Sequence, residues 1–197
     1  EPDLVKLGGD KKIATIFFAD IRGYTSFSEK QEPEYIIEVL NEYFTEAVEV
    51  IIEHKGYIDK FIGDAIMAAW GVPMATIEED AYEAVSCALE IQDKIRSRDR
   101  NFFKGAASKL KVGIGMHTGP LVAGNLGSSR RMDYSVIGDT VNVAARLEGV
   151  AGGGEVVITD KTYDLLGGSF KVKEMDPVTV KGKKEPLRVF SVLDLIK

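Results

Sequence analysis

Two long stretches of the chain repeat apolar residues every three to four positions, the spacing that places them on one face of an α-helix. In residues 33–54 these positions are Ile36, Leu40, Tyr43, Phe44, Ala47, Val50 and Ile51. Residues 78–98 repeat the pattern with Ala81, Val85, Ala88, Leu89, Ile91 and Ile95. Pro33 suits the first turn of the first helix, and Gly56 suits its end. The pattern therefore predicts two helices that pack on a shared core.

A continuous apolar run precedes the first helix. Residues 13–19 are rich in strand-forming side chains and end at Asp20, which predicts a buried central strand. The segment that follows contains Gly23 and several hydroxyl side chains, so we expect a loop there.

Two further apolar runs, residues 57–61 and 65–70, predict a β-hairpin between the helices. Either Ile62-Gly63 or Gly63-Asp64 can form its two-residue loop. Under both alternatives the side chains of Lys60 and Asp64 point away from each other. Charges at a hairpin tip are usually no more than solvated turn residues, so this feature alone does not indicate a site.

The second half of the chain alternates strand patterns with glycine-containing turns. It predicts strands over 109–117 and 119–127 with a turn at Thr118-Gly119, a strand over 132–137, a helix over 141–150 capped by Asp139 or Thr140, a strand over 154–160, a short helix over 161–167, and strands over 170–182 and 185–195. Strands interleaved with two long helices predict an α+β fold, with a mixed or antiparallel sheet and its helices on one face.

Composition limits the class of protein. A chain of 197 residues with 45% hydrophobic content can bury one core, so we expect a polar leading segment over 1–12 and a single domain over 13–197. The net charge of −6 argues against binding nucleic acid or an anionic membrane through a general basic field. One cysteine and two histidines exclude a disulfide framework and disfavour a structural zinc site.

Location and context are expectations of the same kind. No apolar run approaches the roughly 20 residues that span a bilayer, so we expect no membrane contact by this chain itself. The single cysteine suits a reducing cytoplasm. Because the sequence begins at Glu1 without Met, we expect fusion to an upstream sensor or membrane segment in a longer protein.

Two carboxylates occupy matching positions, Asp20 at the end of a buried strand and Asp64 at the hairpin tip. Carboxylates that meet repel each other, and a hard divalent cation such as Mg²⁺ relieves that repulsion. Backbone N–H groups around Gly23, with the hydroxyl of Thr25, can cradle phosphates beside such an ion. The sequence contains no P-loop motif, so a P-loop nucleotidase is excluded.

Asn142 and Arg146 lie at positions i and i+4 of the short helix and therefore share one face. Such a pair suits a sugar and a phosphoryl group. On the helix alone, however, a surface arginine near a helix-start asparagine is the commoner arrangement. Lys181 is equally ambiguous by itself.

Four motifs, taken together, resemble the catalytic domain of class III nucleotidyl cyclases, most closely bacterial adenylyl cyclases. They are FADIRGYTSFSE, DKFIGDAIMAAWG, GIGMHTGPLVAGNLGS and YSVIGDTVNVAARLE, in this order. The resemblance covers about residues 13–193 and implies a ferredoxin-like βαββαβ core with additional strands and helices. It also implies a homodimer whose active sites lie between two domains.

The resemblance implies a role for each candidate residue. Asp20 and Asp64, with the carbonyl of Ile21, would bind two Mg²⁺ or Mn²⁺ ions per site. The residues expected on the other side of the site are Lys60 and Ser135 for the purine, Asn142 for the ribose, Arg146 for the transferring phosphorus, and Lys181 and Arg131 for phosphates. Opposite faces of one hairpin would then serve opposite sites of the dimer.

Ser135 differs from the Asp of many animal adenylyl cyclases and from the Cys that guanylyl cyclases usually pair with Glu at the lysine position. Adenine offers an acceptor at N1 and a donor at N6, which Lys60 and a hydroxyl can meet. The N1–H donor of guanine would instead face a like donor in Lys60. We therefore expect an adenylate cyclase that makes 3′,5′-cyclic AMP from ATP. The alternatives are a guanylate cyclase and a catalytically silent regulatory dimerisation domain.

Overall fold

The computed structural model describes residues 7–97 and 102–196. The strands are β1 (Gly8–Arg22), β2 (Tyr57–Ile62), β3 (Ala65–Trp70), β4 (Lys111–Ser128), β5 (Arg131–Ile137), β6 (Val156–Thr159), β7 (Phe170–Glu174) and β8 (Val189–Leu195). The α-helices are α1 (Tyr24–Ser28), α2 (Pro33–Glu53), α3 (Ile77–Ser97), α4 (Asp139–Val150) and α5 (Asp160–Asp164), and a 3₁₀ helix spans Gly105–Lys109.

The first four strands and the two long helices form the ferredoxin-like unit. The strands lie in the order β2-β3-β1-β4, and each neighbouring pair is antiparallel. Helix α2 connects β1 to β2, and α3 connects β3 to β4. The sheet continues through β6, β8 and β7, with β6 parallel to β4, while β5 pairs with the other half of β4. The expected βαββαβ core with additional strands in a mixed sheet is confirmed.

Alternation along β1 divides the interior between the two faces of the sheet. Phe17 and Ala19 pack with α2 and α3, where Tyr43 and Trp70 are fully buried. Ile16 and its even-numbered neighbours contribute to a second cluster with β3, β5 and α4. Helices therefore cover both faces, and the prediction of helices on one face only is wrong. Helix α4 buries Thr140, Val143, Ala144 and Leu147, a stripe too short to show from sequence alone which face of the sheet it covers.

The predicted strands over 170–182 and 185–195 are shorter in the structure, Phe170–Glu174 and Val189–Leu195, and two further strand predictions need correction. Strand β1 begins at Gly8 rather than residue 13, because the backbone of residues 8–12 pairs with β4 although its side chains are mostly exposed. The expected turn at Thr118-Gly119 does not exist, since both residues pair with β1 inside one continuous strand. In both places the partner strand, rather than local sequence preference, determines the conformation.

Smaller differences concern the ends of elements. The loop after β1 contains the one-turn helix α1, and α4 begins at Asp139 after Gly138, with no side-chain cap. Helix α2 ends at Glu53, and in the turn that follows Lys55, rather than Gly56, adopts the left-handed conformation at φ 63°. Ile62 pairs with Ala65, so Gly63-Asp64 is the hairpin loop, the second of the two alternatives. The predicted end of the α3 region at residue 98 lies outside the described residues.

Candidate active site

Asp20 lies near the end of β1 and forms an ion pair with Arg22, whose Nη1 is 2.6 Å from Asp20 Oδ1. Residues two apart on a strand point to the same face, which here is the face covered by α4. The Arg22 guanidinium also donates from Nε to the Ala151 carbonyl oxygen at 2.9 Å and from Nη2 to the Glu148 carbonyl oxygen. Arg22 therefore ties the Asp20 carboxylate to the C-terminal end of α4.

Burial raises the pKa of Asp20 to about 7, and a hydrogen bond with the Glu148 carboxyl and its charge act in the same direction. The positive charge of Arg22 opposes this rise in pKa, but Arg22 is shared with Glu148, whose Oε1 lies 2.6 Å from Nη2. The two carboxylates of Asp20 and Glu148 thus share the single positive charge of Arg22.

Asp64 reaches the same location from the hairpin loop, where its Oδ2 accepts a hydrogen bond from the Ile21 backbone N–H at 3.0 Å. Burial raises the pKa of Asp64, and the charge of Asp20 raises it further against the effect of the Ile21 N–H. Asp20, Ile21 and Asp64, which lie on two separate elements, are therefore brought together.

These residues suit a hard divalent cation. Two partly buried carboxylates whose pKa values are both raised would both be stabilised as anions by Mg²⁺ or Mn²⁺, and the Ile21 carbonyl would add an oxygen ligand of the kind such ions prefer. The described residues contain no cluster of three or more His, Cys, Asp or Glu side chains arranged for a metal ion. Mg²⁺ in proteins is usually bound by one or two carboxylates plus substrate phosphates.

A second group of residues lies where β5 approaches β2. Ser135 is buried on β5, and its hydroxyl donates to both carboxylate oxygens of Asp59 on β2, at 2.9 and 2.8 Å. Lys60 Nζ lies 3.9 Å from Asp59 Oδ1 and is half exposed. The Tyr57 hydroxyl donates to the Tyr134 carbonyl oxygen at 2.6 Å and joins the same two strands. The predicted pair Lys60 and Ser135 therefore occupies one location, with Asp59 between them.

Asn142 and Arg146 are both exposed on α4, as their spacing predicts. Arg146 Nε donates to the Thr179 carbonyl oxygen at 3.3 Å, which brings it to the segment that carries the exposed Lys181. Within residues 7–97 and 102–196, no hydrogen bond or ion pair connects Asn142 or Arg146 to the Asp20 and Asp64 carboxylates. We refer to Asp20, Ile21 and Asp64 as one half-site and to Lys60, Ser135, Asn142 and Arg146 as the other.

The remaining candidates lie at the surface. Arg131 is exposed at the start of β5, and its backbone N–H donates to Ser128 Oγ at 3.3 Å. Gly23 has φ 74° and precedes α1, and Thr25 is exposed within that helix. The Thr25 carbonyl oxygen accepts a hydrogen bond from Ser28 Oγ at 3.0 Å.

Three residues of this region were not identified from the sequence. Asp59 was overlooked beside Lys60, although an acidic residue within an apolar strand pattern is an available signal. Arg22 was overlooked two positions after Asp20, where strand alternation places it on the same face. Glu148, two positions after Arg146, carries no signal of its own, because its role depends on α4 packing against the end of β1.

Comparison with known proteins now identifies the family. Residues 9–193 match the family described as the adenylate and guanylate cyclase catalytic domain. The chain belongs to this family.

Its relatives include both kinds of cyclase. It is 40% identical over 183 residues to an adenylate cyclase of Anabaena cylindrica and 38% identical over 189 residues to the terminal-differentiation specific adenylate cyclase of Dictyostelium discoideum. These matches cover 90% and 93% of this chain but only 36% and 9% of the two relatives. The chain thus spans about a third or less of the length of these relatives.

Two solved structures share the whole fold. The adenylyl cyclase CyaB from P. aeruginosa superposes with a TM-score of 0.87 at 33% identity, covering 97% of this chain and 98% of that one. The guanylyl cyclase Cya2 superposes with a TM-score of 0.90 at 36% identity, covering 97% of this chain and 96% of that one.

Within the described ranges, no helix has both the length and the apolar content needed to cross a bilayer.

Proposed function

We propose that this chain is an adenylate cyclase domain that converts ATP to 3′,5′-cyclic AMP and pyrophosphate. The observation that carries the choice of ATP is the convergence of Lys60 and Ser135 at one location. A lysine ammonium can donate to adenine N1, and a hydroxyl can accept from the N6 amino group. Guanine would place its N1–H against the ammonium.

Binding of Mg²⁺ or Mn²⁺ is part of the proposal, with two ions held by Asp20, Asp64 and the Ile21 carbonyl. When bound, the ions lower the pKa of the ribose 3′-hydroxyl and stabilise charge on the phosphoryl group. The 3′-oxygen forms a bond to the α-phosphorus, the bond to pyrophosphate breaks, and the 3′-hydroxyl proton passes to solvent.

The other half-site supplies the remaining contacts. Asn142 orients the ribose, and Arg146 stabilises negative charge on the transferring phosphoryl group. Lys181 and Arg131 bind the outer phosphates from the surface positions they occupy. In the half-site of the metal ligands, the N–H groups near Gly23, with Thr25, hold phosphate oxygens.

The direct test is to measure cyclic nucleotide formation by the purified chain with ATP and then with GTP, each with Mn²⁺. We expect the specificity constant for ATP to exceed that for GTP. A preference for GTP would instead support the guanylate cyclase alternative, for which the likeness to Cya2 is the specific observation. No turnover of either nucleotide by a folded dimer would support the silent regulatory domain.

The proposed metal ligands have their own test. Asp20→Asn and Asp64→Asn should each abolish turnover, because one carboxylate cannot bind both ions. Neither change should prevent folding, since each removes a charge that its surroundings disfavour. Substantial Mg²⁺-dependent turnover in either variant would contradict the assignment.

We further propose that two copies of the chain share each site, which the separation of the two half-sites supports. Mixing Asp20→Ala chains with Arg146→Ala chains places both changes in one site of each heterodimer and leaves the other site intact. With random exchange, half of the dimers are mixed, so activity should return to roughly a quarter of wild type. If exchange is verified and activity does not return, Arg146 acts within its own chain.

The longer relatives support a last proposal, that this domain belongs to a larger cytoplasmic or membrane-anchored protein with an upstream regulatory part. A receptor-type guanylate cyclase of Drosophila melanogaster, 34% identical over 174 residues, devotes 11% of its length to the matching region. The test is to compare the turnover of this chain with that of any longer form that contains it.

A further inference from the structure

The side chain of Asp59 is only 2% exposed, although it is a carboxylate in a strand that ends in solvent. Burying a carboxylate is costly unless polar partners compensate for the lost water. Among residues 7–97 and 102–196, the side chain within hydrogen-bond distance of the Asp59 carboxylate is the Ser135 hydroxyl, and the Lys60 ammonium lies further away at 3.9 Å. Both of these side chains belong to the proposed purine site, whereas the proposed function gives Asp59 no contact with the purine.

We propose that Asp59 is a specificity-determining positioning residue that fixes the polarity of the Ser135 hydroxyl. This inference rests on the proposed function. A carboxylate can only accept hydrogen bonds, so the hydroxyl must use its single proton toward Asp59. Toward any bound purine Ser135 then presents only lone pairs.

This orientation removes an ambiguity that serine would otherwise bring. A free hydroxyl can accept from the N6 amino group of adenine or donate to the O6 atom of guanine with equal ease. A hydroxyl held as a donor to Asp59 keeps the first interaction and loses the second. Guanine then meets two mismatches, lone pairs facing O6 and the Lys60 ammonium facing N1–H, and leaving polar groups unpaired is how such sites reject an analogue.

A purely mechanical role for Asp59 makes a different prediction. Its contact with Ser135 also joins β2 to β5, so its loss could loosen both strands. Loosening of the strands would weaken the binding of ATP and GTP alike, whereas a freely rotating Ser135 hydroxyl would change the ratio of the two affinities. The Tyr57 hydroxyl bond to the Tyr134 carbonyl joins the same strands at 2.6 Å and does not involve Ser135. Tyr57→Phe is therefore the matched control for loosening.

The test measures binding of 3′-deoxy-ATP and 3′-deoxy-GTP, which cannot cyclise, together with the specificity constants for ATP and GTP. An amide in place of the carboxylate can donate to Ser135, which frees the hydroxyl proton for guanine O6. Asp59→Asn should therefore raise the ratio of the GTP to the ATP specificity constant, and of the two analogue affinities, about tenfold. That change is the equivalent of one hydrogen bond of ordinary net strength. Tyr57→Phe should leave the ratio unchanged. An unchanged ratio in Asp59→Asn overturns the proposal.

Ser135→Ala gives a second test that leaves Asp59 in place. If the hydroxyl only accepts hydrogen bonds, its removal should weaken ATP binding about tenfold and GTP binding little. Equal weakening of both nucleotides overturns the proposal. In the Ser135→Ala background, Asp59→Asn should no longer change the ratio, and a change as large as in wild type would show that Asp59 acts by another route.

These outcomes separate the inference from the function on which it rests. If the wild-type chain binds neither analogue and cyclises neither nucleotide, the proposed function is wrong and the inference is wrong with it. If the chain binds or cyclises them and the Asp59 and Ser135 variants change both nucleotides equally, only the inference is wrong.

Discussion

Gly115 lies on β4 directly beneath the C-terminal half of α4, and the change Gly115→Ala tests how closely helix and sheet must approach. A Cβ atom built on Gly115 would lie 2.0 Å from the Glu148 backbone nitrogen and 2.5 Å from the Leu147 carbonyl carbon. Both contacts are to backbone atoms, so no side-chain rotation can relieve them. The helix itself must move.

The required movement follows from these distances. To regain ordinary contact at 3.4 Å from a starting separation of 2.0 Å, α4 must move away from β4 by about 1.4 Å. Overpacking of this kind costs about 1–3 kcal/mol of stability. The movement also displaces Arg146, which precedes the clashing residues on the same helix. Misplacement of a catalytic group by about 1 Å can lower turnover roughly 100-fold.

Urea unfolding and cyclase turnover of the same preparation measure these two effects. The matched control is Gly149→Ala on α4, where an added Cβ meets nothing within 4 Å. That change should stabilise the protein by up to about 1 kcal/mol, because alanine favours the helix, and should preserve turnover. If Gly115→Ala unfolds and turns over like wild type, α4 does not pack on β4 as closely as described.

Three further predictions concern charge and selectivity. His117 is half-buried, and its Nδ1 lies 2.7 Å from Thr159 Oγ1. This burial lowers its pKa to about 4. Its contribution to stability is therefore complete above its unfolded pKa of about 6.5 and is lost as the pH falls toward 4. The free energy of unfolding should fall by about 3 kcal/mol over this pH range. His117→Gln should flatten the pH dependence of urea unfolding in the same range. An equally steep dependence in the variant would rule out His117 as the source of the pH dependence. The raised pKa of Asp20 acts in the opposite sense: the contribution of Asp20 to stability is complete below its unfolded pKa of about 3.8 and is lost as the pH rises through about 7. In EDTA, Asp20→Asn should therefore be more stable than wild type at pH 8. It should lose that advantage at pH 4. Equal thermal stability of the two proteins at pH 8 would contradict the raised pKa. Finally, Lys60→Glu combined with Ser135→Cys reverses the donor and acceptor pattern, so the ratio of GTP to ATP turnover should rise. An unchanged ratio in a folded, active variant would place selectivity elsewhere.

Local pattern in the sequence was sufficient for several parts of the protein. The periodicity of α2 predicts its extent to within a residue, and the hairpin of β2 and β3 follows from two apolar runs around a glycine. The order of four motifs was enough to indicate the family. These features depend on neighbours in sequence, because helical spacing, pleat alternation and turn conformation are properties of a few consecutive residues.

Other features depend on partners that are distant in sequence. The polar residues 8–12 become strand, and Thr118-Gly119 continues a strand, only because β1 and β4 supply each other's hydrogen bonds over their whole length. The same holds for the site. Ser135 and Asp59 are separated by 76 positions and Arg22 and Glu148 by 126, and no local pattern relates the members of either pair.

The sequence by itself therefore indicated the family, the main elements and the candidate site residues other than Arg22, Asp59 and Glu148. Only the tertiary structure decided which face α4 covers, which groups share a buried location and how each one is paired. The physical reason is that a hydroxyl or carboxylate acquires its direction and its protonation from whatever lies within about 3 Å after burial. For Ser135 that neighbour is Asp59, whereas for Asp20 burial and the Glu148 carboxyl raise the pKa and Arg22 opposes them.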